Sequence, residues 1–253
     1  MKLTNNRVFA MGDIHGAYQA MIQCLKRSGF DYQNDVLIQL GDVVDGYDEP
    51  YECVEELLKI KNLIAIRGNH DDWFESFLQT DFHPSYWNYG GKATITSYLK
   101  HADKPVICFP SASGFKTSLN SSDIPAAHRQ FFQNQKLYYI DDEQRCFVHG
   151  GFNRSIPFDQ QAQSIYYWDR DLWTDAITHQ DHDILQQNFE KDTVFKEVFI
   201  GHSPTTNWGT DQPMTRINIT NLDTGAGHSG RLTIMNISSK QYWQSDMVNT
   251  LYS

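Results

Sequence analysis

The sequence predicts an α/β fold with a parallel sheet, and two observations in its N-terminal part lead to this prediction. Three short apolar runs, each typical of a buried strand, end in a polar cluster that contains glycine. Two segments with the spacing of amphipathic helices lie between these runs. Strands that alternate with helices in this way form β-α-β units, whose strands run parallel.

The elements of this alternation follow in chain order. Apolar runs at residues 8–11, 36–40 and 63–66 predict three strands. Apolar side chains with helical spacing predict helices over residues 18–28 and 50–61, and a proline begins the second helix. Because glycine and a polar side chain follow each strand, the carboxyl ends of all three strands are expected to carry polar groups.

Two later runs repeat this arrangement. Residues 145–148 lead into His149, and residues 198–200 run toward His202. Ligand sites in α/β sheets lie beyond the carboxyl ends of the strands, so these strand ends together predict one site. Further along the chain, the alternation within residues 216–242 predicts antiparallel strands around a glycine turn.

We expect a single domain over residues 1–253, with a cap-like insertion at approximately residues 72–142. This segment is rich in aromatic residues, serine and proline, and it lacks strong periodicity apart from helix-like stretches at residues 93–100 and 126–135. A chain of this length can bury a substantial core.

The composition excludes several classes of protein. The formal net charge of -10 would repel a phosphate backbone, so we expect no nucleic-acid binding. No stretch approaches the roughly 20 apolar residues of a membrane span, so we expect no membrane partner and a cytoplasmic location. The 4 cysteines are scattered without a Cys-x-x-Cys pair and are expected to be reduced core residues.

The polar residues at the five strand ends form a set that could bind metal ions. They are Asp13, His15, Asp42, Asp45, Asn69, His70, His149 and His202. Carboxylates, imidazoles and an amide oxygen are ligands of borderline divalent cations. The set is too large for one ion and suits two ions that share a carboxylate. Such two-metal sites polarise a phosphoryl oxygen and deprotonate a bridging water.

These residues occur in motifs that resemble the ordered signature of the calcineurin-like metallophosphoesterases. The motifs are Gly12-Asp13-Ile14-His15-Gly16, Gly41-Asp42-Val43-Val44-Asp45-Gly46, Gly68-Asn69-His70-Asp71, His149-Gly150-Gly151 and Gly201-His202-Ser203. The spacing of Asp42 and Asp45, together with the His-Gly-Gly sequence, is similar to the serine/threonine phosphatase branch of bacterial type. The resemblance covers nearly the whole chain and implies a two-sheet β-sandwich flanked by helices, in four α/β/β/α layers.

The resemblance also implies a role for each residue. The implied metal ligands are Asp13 and His15 for the first ion, Asp42 as the bridge, and Asn69, His149 and His202 for the second. His70 is the implied general acid, paired with Asp45, while a metal-bridging hydroxide attacks phosphorus. A protonated histidine oriented by a carboxylate suits the protonation of a departing alkoxide. Asp71 is expected only to shape its loop.

One motif departs from the family pattern. The second motif of the family usually ends Asp-Arg-Gly, with the arginine gripping phosphate oxygens, whereas Gly46 stands at that position here. Arg170 lies in a segment that resembles the family's second arginine segment, and it is the expected replacement. Asn69 is a second expected substrate contact. The alternative is that Arg170 only pairs with a neighbouring aspartate on the surface. Arg154, just after the His-Gly-Gly motif, is a weaker candidate for the replacement.

Three functions remain open from the sequence. The first is metal-dependent hydrolysis of phosphomonoesters, with a phosphorylated protein or a small phosphoester as substrate and manganese as the favoured metal over iron, zinc or magnesium. The second is cleavage of a nucleotide anhydride, such as a dinucleoside tetraphosphate, or of a phosphodiester. The third is a non-catalytic scaffold that binds phosphorylated partners. Trp73, Trp87 and Trp168 are expected in the core, with an aromatic wall for a nucleobase or a peptide side chain as the alternative.

Overall fold

The computed structural model of the chain describes residues 6–84, 87–111 and 114–252. Its strands are β1 (Val8–Met11), β2 (Val36–Gln39), β3 (Asn62–Ala65), β4 (Cys108–Ser111), β5 (Gly114–Thr117), β6 (Tyr138–Ile140), β7 (Arg145–Val148), β8 (Glu197–Ile200), β9 (Met214–Arg216), β10 (Ile219–Asn221), β11 (Thr233–Asn236) and β12 (Tyr242–Gln244). Its α-helices are α1 (Tyr18–Ser28), α2 (Pro50–Leu57), α3 (Asn69–Thr80), α4 (Gly91–His101), α5 (Ala126–Gln133), α6 (Ile165–Trp168), α7 (Asp171–His179) and α8 (Asp183–Thr193). Short 3-10 helices cover Ser121–Asp123, Phe158–Gln160, Thr205–Trp208 and Val248–Thr250.

Two five-stranded sheets form the centre of the molecule. The first has the order β12-β11-β1-β2-β3, and the second has the order β6-β7-β8-β10-β9. Strands β1, β2 and β3 are parallel, as are β7, β8 and β10, while the remaining strands of both sheets pair antiparallel to their neighbours. The parallel pairing predicted from the alternating strands and helices is therefore confirmed. A separate hairpin consists of β4 and β5.

Alternating side chains of the strands divide the core into three parts. Ala10 of β1 belongs to a buried cluster between the two sheets, where Phe147 and Phe199 of the second sheet stack with ring centroids 4.9 Å apart. Phe9, its neighbour along β1, packs on the other face against the helices that cover the first sheet. Cys146 lies on the outer face of the second sheet with residues of α6, α7 and α8. The order of layers is α/β/β/α, which confirms the predicted sandwich.

One helix boundary and one strand pairing differ from the prediction, apart from shifts of one or two residues at other element ends. Helix α2 ends at Leu57 rather than at residue 61, because the amides of Lys59 and Ile60 donate to the carbonyls three residues earlier and tighten the last turn. The strands on either side of the glycine turn near the C-terminus do not pair with each other. Strand β10 belongs to the second sheet and β11 to the first, so the segment between them crosses from one sheet to the other.

The segment predicted as an insertion contributes helices to the layer that covers the first sheet. Helices α4 and α5 occupy the two stretches predicted to be helical. Phe74 of α3 joins them, since its ring lies 5.2 Å from that of Tyr98 in α4 and 4.9 Å from that of Phe132 in α5. Strand β6, at the end of the segment, pairs with β7 in the second sheet. The cap-like interpretation of residues 72–142 stays a prediction.

Two expectations from the composition can be compared with this fold. Among the helices of the described residues, none combines the length and the apolar character that a membrane crossing requires. All four cysteines are free; Cys24, Cys53 and Cys146 are buried, whereas Cys108 is half-buried in the hairpin.

Candidate metal centre

The carboxyl ends of the central strands meet at a cavity of about 820 Å³. This volume lies within the range of small-molecule sites, which is roughly 300–1,000 Å³. The predicted site residues that line it are Asp13, His15, Asp42, Asn69, His70, Arg170 and His202. His149 and Asp45 are completely buried next to it. The structure thus brings all the predicted ligand and acid residues to one place.

Four of these residues have a strained backbone. His15, Asp42, Asp45 and His202 have φ values of 50°, 54°, 70° and 64°, in the left-handed region that side chains other than glycine rarely adopt. Such conformations cost free energy and persist where the surrounding structure holds them for a functional geometry. Their concentration at these turns points to the same site as the cavity does.

Asp42 lies at the centre of the cluster. Its Oδ2 atom is 3.6 Å from Nε2 of His15 and 3.3 Å from Nε2 of His149. Two groups of three residues could each hold a metal ion, His15 with Asp42 and His70, and Asp42 with His149 and His202; within each group the ligand atoms lie within 4.8 Å of one another. Asp42 belongs to both groups, which is the arrangement that a shared, bridging carboxylate requires.

The hydrogen bonds of the two buried histidines fit a cation. Nδ1 of His149 lies 2.7 Å from the carbonyl oxygen of Leu40, which can only accept, so Nδ1 carries the proton. Nε2 faces two acceptors, Oδ2 of Asp42 at 3.3 Å and Oδ1 of Asn69 at 3.2 Å. Burial lowers the pKa of His149, but the Asp42 carboxylate outweighs it and raises the pKa, so a positive charge, either a proton or a metal ion, is favoured at this nitrogen. Nε2 of His202 is buried and has no hydrogen-bond partner among the residues described. Buried acceptors that face one another in this way are costly unless a proton or a metal cation lies between them.

Asp13 has a different position from the other predicted ligands. Both of its carboxylate oxygens face the backbone N–H of His202, at 3.0 and 3.3 Å. It lines the cavity but lies outside the two groups of ligand atoms described above. Its role as a ligand of the first ion stays a prediction, whereas His70, predicted as the acid, lies within reach of that ion's group.

His70 and Asp45 form the predicted acid pair. Nδ1 of His70 lies 2.7 Å from Oδ2 of Asp45, which leaves Nε2 as the ring nitrogen available to the cavity. Burial by itself lowers the pKa of His70, but the carboxylates of Asp42 and Asp45 outweigh it and raise the pKa to about 9. The imidazole can therefore hold a proton at neutral pH.

The other titratable groups show how strongly negative the site is. Burial and the neighbouring carboxylates of Asp223 and Asp42 raise the pKa of Asp13 well above its ordinary value. Burial likewise raises the pKa of Asp223 to about 6. Burial lowers the pKa of His15 to about 3, which leaves its ring neutral and able to act as a ligand. Crowded carboxylates beside neutral imidazoles are the surroundings in which a divalent ion binds.

Asp71 shapes its own loop, as predicted, and also binds a second loop of the site. Its carboxylate accepts the backbone N–H groups of Val43 at 2.9 Å and Gly68 at 3.2 Å, and the side-chain amide of Gln135 at 2.8 Å. The fully buried Asp71 therefore ties the loop that carries Asp42 to the loop that begins α3. Its position directly after His70 was the sequence signal for this role.

Two partners of Asp45 were not predicted as site residues. Nε1 of Trp87 lies 3.0 and 2.9 Å from the two carboxylate oxygens of Asp45, and the Thr94 hydroxyl lies 2.6 Å from Oδ1. Trp87 is completely buried, so its predicted place in the core is confirmed. Both residues are more than forty positions from Asp45 in sequence, and no spacing pattern relates them to it.

Arg170 lines the cavity, and hydrogen bonds to His202 and Ser203 hold its guanidinium group. Its Nη1 atom donates to the carbonyl oxygen of His202 at 2.5 Å and to Oγ of Ser203 at 3.0 Å. These contacts differ from the surface pairing with a neighbouring aspartate that was the alternative. Arg154, in contrast, pairs with Asp175 at 2.6 Å. The use of Arg170 and Asn69 as substrate contacts stays a prediction.

The backbone explains why no side chain stands at position 46. Gly46 has φ +83°, and a Cβ atom there would lie 2.9 Å from the carbonyl oxygen of His15. Gly90 packs directly against it, since a Cβ on Gly90 would lie 2.6 Å from the nitrogen of Gly46. A side chain at position 46 would therefore meet the backbone and the Cβ atom of His15.

Aromatic side chains line part of the cavity. Trp73 is buried as predicted, with its ring 4.7 Å from that of His70, but Trp168 is 42% exposed. The Trp168 ring lies 5.5 Å from that of Trp73 and 5.8 Å from that of His202. Tyr89, which also lines the cavity, is 74% exposed. The expectation of a core position is therefore wrong for Trp168, because its ring borders the open cavity.

Comparisons with known proteins agree with this geometry. The family model of the calcineurin-like phosphoesterases matches residues 6–229. Serine/threonine-protein phosphatase 1 of Salmonella typhimurium is 36% identical over 64 residues, which are 25% of this chain and 29% of that protein. The asymmetrical bis(5'-nucleosyl)-tetraphosphatase PrpE of Anoxybacillus flavithermus is 22% identical over 240 residues, 89% of this chain and 88% of that protein. The crystal structure of a candidate diadenosine tetraphosphatase has a TM-score of 0.62 at 15% identity, covering 95% of this chain and 93% of that one.

These comparisons carry different weight. The match to the Salmonella phosphatase leaves most of that protein uncovered, and the likeness to the solved structure shows the fold alone. The family match spans the five motifs and every predicted metal ligand. The chain therefore belongs to the calcineurin-like phosphoesterase family and is a metal-dependent hydrolase.

Proposed function

We propose that this hydrolase cleaves phosphomonoesters and that phosphoserine or phosphothreonine in proteins is its substrate class. The observation that carries the proposal is the His70–Asp45 pair, joined at 2.7 Å beside the two groups of metal ligands. A phosphatase needs such a group because the alkoxide that leaves a serine or threonine phosphate must gain a proton as the ester bond breaks.

The nature of the leaving group favours a monoester over an anhydride. Hydroxide, whose conjugate acid has a pKa near 16, is a fair guide to the basicity of an alkoxide, whereas a phosphate leaving group has a pKa of about 6. Only the alkoxide is so poor a leaving group that it needs an acid to protonate it. An imidazolium at His70, oriented through Nδ1 by Asp45, would supply the proton from Nε2.

The metal requirement follows from the ligand groups. Asp42, His149, His202 and Asn69 would hold one ion, and Asp13, His15 and Asp42 would hold the other, with manganese as the metal to test first. Divalent ions, when bound, supply Lewis-acid polarisation of phosphoryl oxygens and lower the pKa of water. Arg170, anchored by the carbonyl oxygen of His202, would then bind oxygens of the transferred group.

The test is hydrolysis after metal removal and restoration of manganese. Initial rates are measured on p-nitrophenyl phosphate, on its bis-ester and on a phosphoserine peptide. Asp42→Asn is expected to abolish manganese-dependent monoester cleavage, and Asp246→Asn, in an exposed pair with Arg27, is the matched control. Cleavage of the bis-ester alone would contradict the proposal.

A second candidate is hydrolysis of a dinucleoside polyphosphate. It is supported by the exposed ring of Trp168 and by the size of the cavity, which exceeds the need of a phosphate group. A nucleobase can stack on such a ring, and the relative matched over most of its length is named for a nucleotide substrate. Rates on diadenosine tetraphosphate and on the phosphoserine peptide, measured side by side, separate the two candidates. If no substrate is hydrolysed, the non-catalytic scaffold that binds phosphorylated partners is the remaining function.

A further inference from the structure

Asp45 is completely buried, and its carboxylate faces three side-chain donors: His70 of α3, Trp87 of the segment that leads into α4, and Thr94 of α4 itself. We infer that Trp87 and Thr94 are positioning residues that fix Asp45 and, through it, the proton-donating ring of His70. The inference rests on the proposed role of His70 as an acid. It assigns a function to residues 87–94 that no motif of the sequence indicates.

Trp87 holds the carboxylate from one side. Its Nε1–H lies 2.9 Å from Oδ2 and 3.0 Å from Oδ1, so the indole spans both oxygens of Asp45. The indole itself has little freedom to move, because it stacks on His83 with ring centroids 4.7 Å apart and packs against Phe77 at 5.7 Å. A donor fixed in this way opposes rotation of the carboxylate.

Thr94 holds both the side chain and the backbone of Asp45. The Thr94 hydroxyl donates to Oδ1 of Asp45 at 2.6 Å, and the hydroxyl oxygen accepts the backbone N–H of Asp45 at 2.9 Å. This reciprocal pair fixes a residue whose φ of 70° is unfavourable for a side chain. Thr94 is also fully buried, so water does not replace its hydroxyl in the folded protein.

The distribution of donors leaves one place for the histidine. Thr94 occupies Oδ1, Trp87 bridges both oxygens, and Oδ2 remains to accept Nδ1–H of His70 at 2.7 Å. Loss of either donor frees the carboxylate to turn, and the imidazole that depends on it loses its fixed direction. Catalytic groups must be held within about 0.5 Å of the productive geometry, so even a small turn reduces proton transfer.

The loss of rate in variants of Trp87 and Thr94 should depend on the leaving group of the substrate. General acid catalysis contributes about 10²- to 10⁴-fold to a rate, and a mispositioned acid loses part of that factor. We expect the kcat/KM for a phosphoserine peptide to fall by about 10- to 100-fold in Thr94→Val and in Trp87→Phe. Dinitrophenolate leaves without a proton, so the kcat/KM for 2,4-dinitrophenyl phosphate should fall no more than about threefold.

The experiment compares these variants with matched controls in manganese-saturated enzyme. Thr193→Val removes a buried hydroxyl that donates to the carbonyl oxygen of Glu190, and Trp173→Phe removes a buried indole N–H that has no partner in the described part of the chain. Both controls should keep the wild-type ratio of the two substrates. Equal losses on both substrates in Thr94→Val and Trp87→Phe, or no loss on either, would overturn the inference.

A second measurement does not depend on turnover. With diamagnetic magnesium in place of manganese, the proton on Nδ1 of His70, held against the buried Asp45, should give a downfield resonance in the proton NMR spectrum that is absent in His70→Asn. We expect Thr94→Val and Trp87→Phe to broaden or remove this resonance and the two controls to keep it. An unchanged resonance refutes the inference. A wild-type enzyme inactive on both esters refutes the proposed function instead, and the resonance then decides the positioning role by itself.

Discussion

Gly68→Ala tests whether close contact between two loops sets the position of Asp42. Gly68 has φ −94° and ψ 171°, a conformation that any residue adopts, so glycine is not needed for the backbone there. Glycine is required at position 68 because a side chain there has no room beside Asp42. A Cβ atom on Gly68 would lie 2.0 Å from Oδ1 of Asp42 and 2.3 Å from its backbone nitrogen.

The size of the disturbance follows from these distances. An ordinary contact of 3.4 Å requires the backbone nitrogen of Asp42 to move away by about 1.1 Å, and its carboxylate oxygen by about 1.4 Å. Metal ligands tolerate only about 0.2 Å, and a misplacement near 1 Å can reduce a rate about 100-fold. We therefore expect a loss of at least about 100-fold in kcat/KM, which corresponds to about 2.7 kcal/mol of transition-state stabilisation.

The assay combines rates with metal affinity. Manganese is titrated into metal-free protein while monoester hydrolysis is followed, and Gly68→Ala should need much more manganese for half-maximal activity. Gly29→Ala is the control, because Gly29 has φ +61° at the end of α1 and nothing lies within 4 Å of a Cβ added there. It should lose about 1–2 kcal/mol of stability but keep its activity. Activity and metal affinity in Gly68→Ala within threefold of wild type would refute the reasoning.

Three further predictions concern the metal and the two sides of the cavity. Chelation should abolish hydrolysis. Manganese at 100 times its dissociation constant should raise the free energy of unfolding by about 2.7 kcal/mol in a denaturant titration. An unchanged unfolding midpoint would contradict the metal site. Arg170→Ala should raise KM for the phosphoserine peptide about tenfold or more, and Arg170→Lys should not restore it, since lysine lacks the planar fork; rescue by lysine would exclude a two-oxygen grip. Trp168→Ala should weaken use of diadenosine tetraphosphate by about 1–3 kcal/mol in kcat/KM and spare the phosphopeptide; equal effects would argue against base stacking.

The predicted site residues that the structure brings together are those whose position depends on local structure. Asp42 and His202 follow strands directly, and a strand end fixes the position of the next few residues whatever the rest of the fold does. The ligand groups are therefore visible as short motifs. The partners of Asp45 were not visible, because Trp87 and Thr94 reach it only after α3 and α4 pack against α2 and the first sheet. Contacts of that kind depend on tertiary packing and leave no periodic pattern.

The exposure of Trp168 was missed for a related reason. A tryptophan in an aromatic segment is usually buried, and the cavity that leaves this ring open forms only when α6 meets the turns that carry His70 and His202. The crossing between β10 and β11 was also beyond a local pattern. Alternation along the chain predicts strands but does not say which sheet each strand joins.

Gly46 and the proposed acid pair, His70 and Asp45, both lie beside residues 87–94. Residues 87–94 place the backbone of Gly90 against Gly46, where the family's arginine would stand, and they bring Trp87 and Thr94 to Asp45. The same packing removes water from Asp45, and a hydrogen bond between charged groups is stronger in such surroundings.

The absence of the arginine and the presence of the proposed proton donor affect substrate binding and the chemical step differently. An arginine that grips phosphate equally in substrate and transition state lowers KM without raising kcat, whereas a proton donor contributes only as the ester bond breaks. A chain that lacks this arginine but has the proposed proton donor should therefore bind monoesters weakly yet still turn them over. Loss of the arginine at position 46 is then no reason to expect a non-catalytic scaffold. A measured KM well above that of a family member that has the arginine, with an undiminished kcat, is the pattern this reasoning requires.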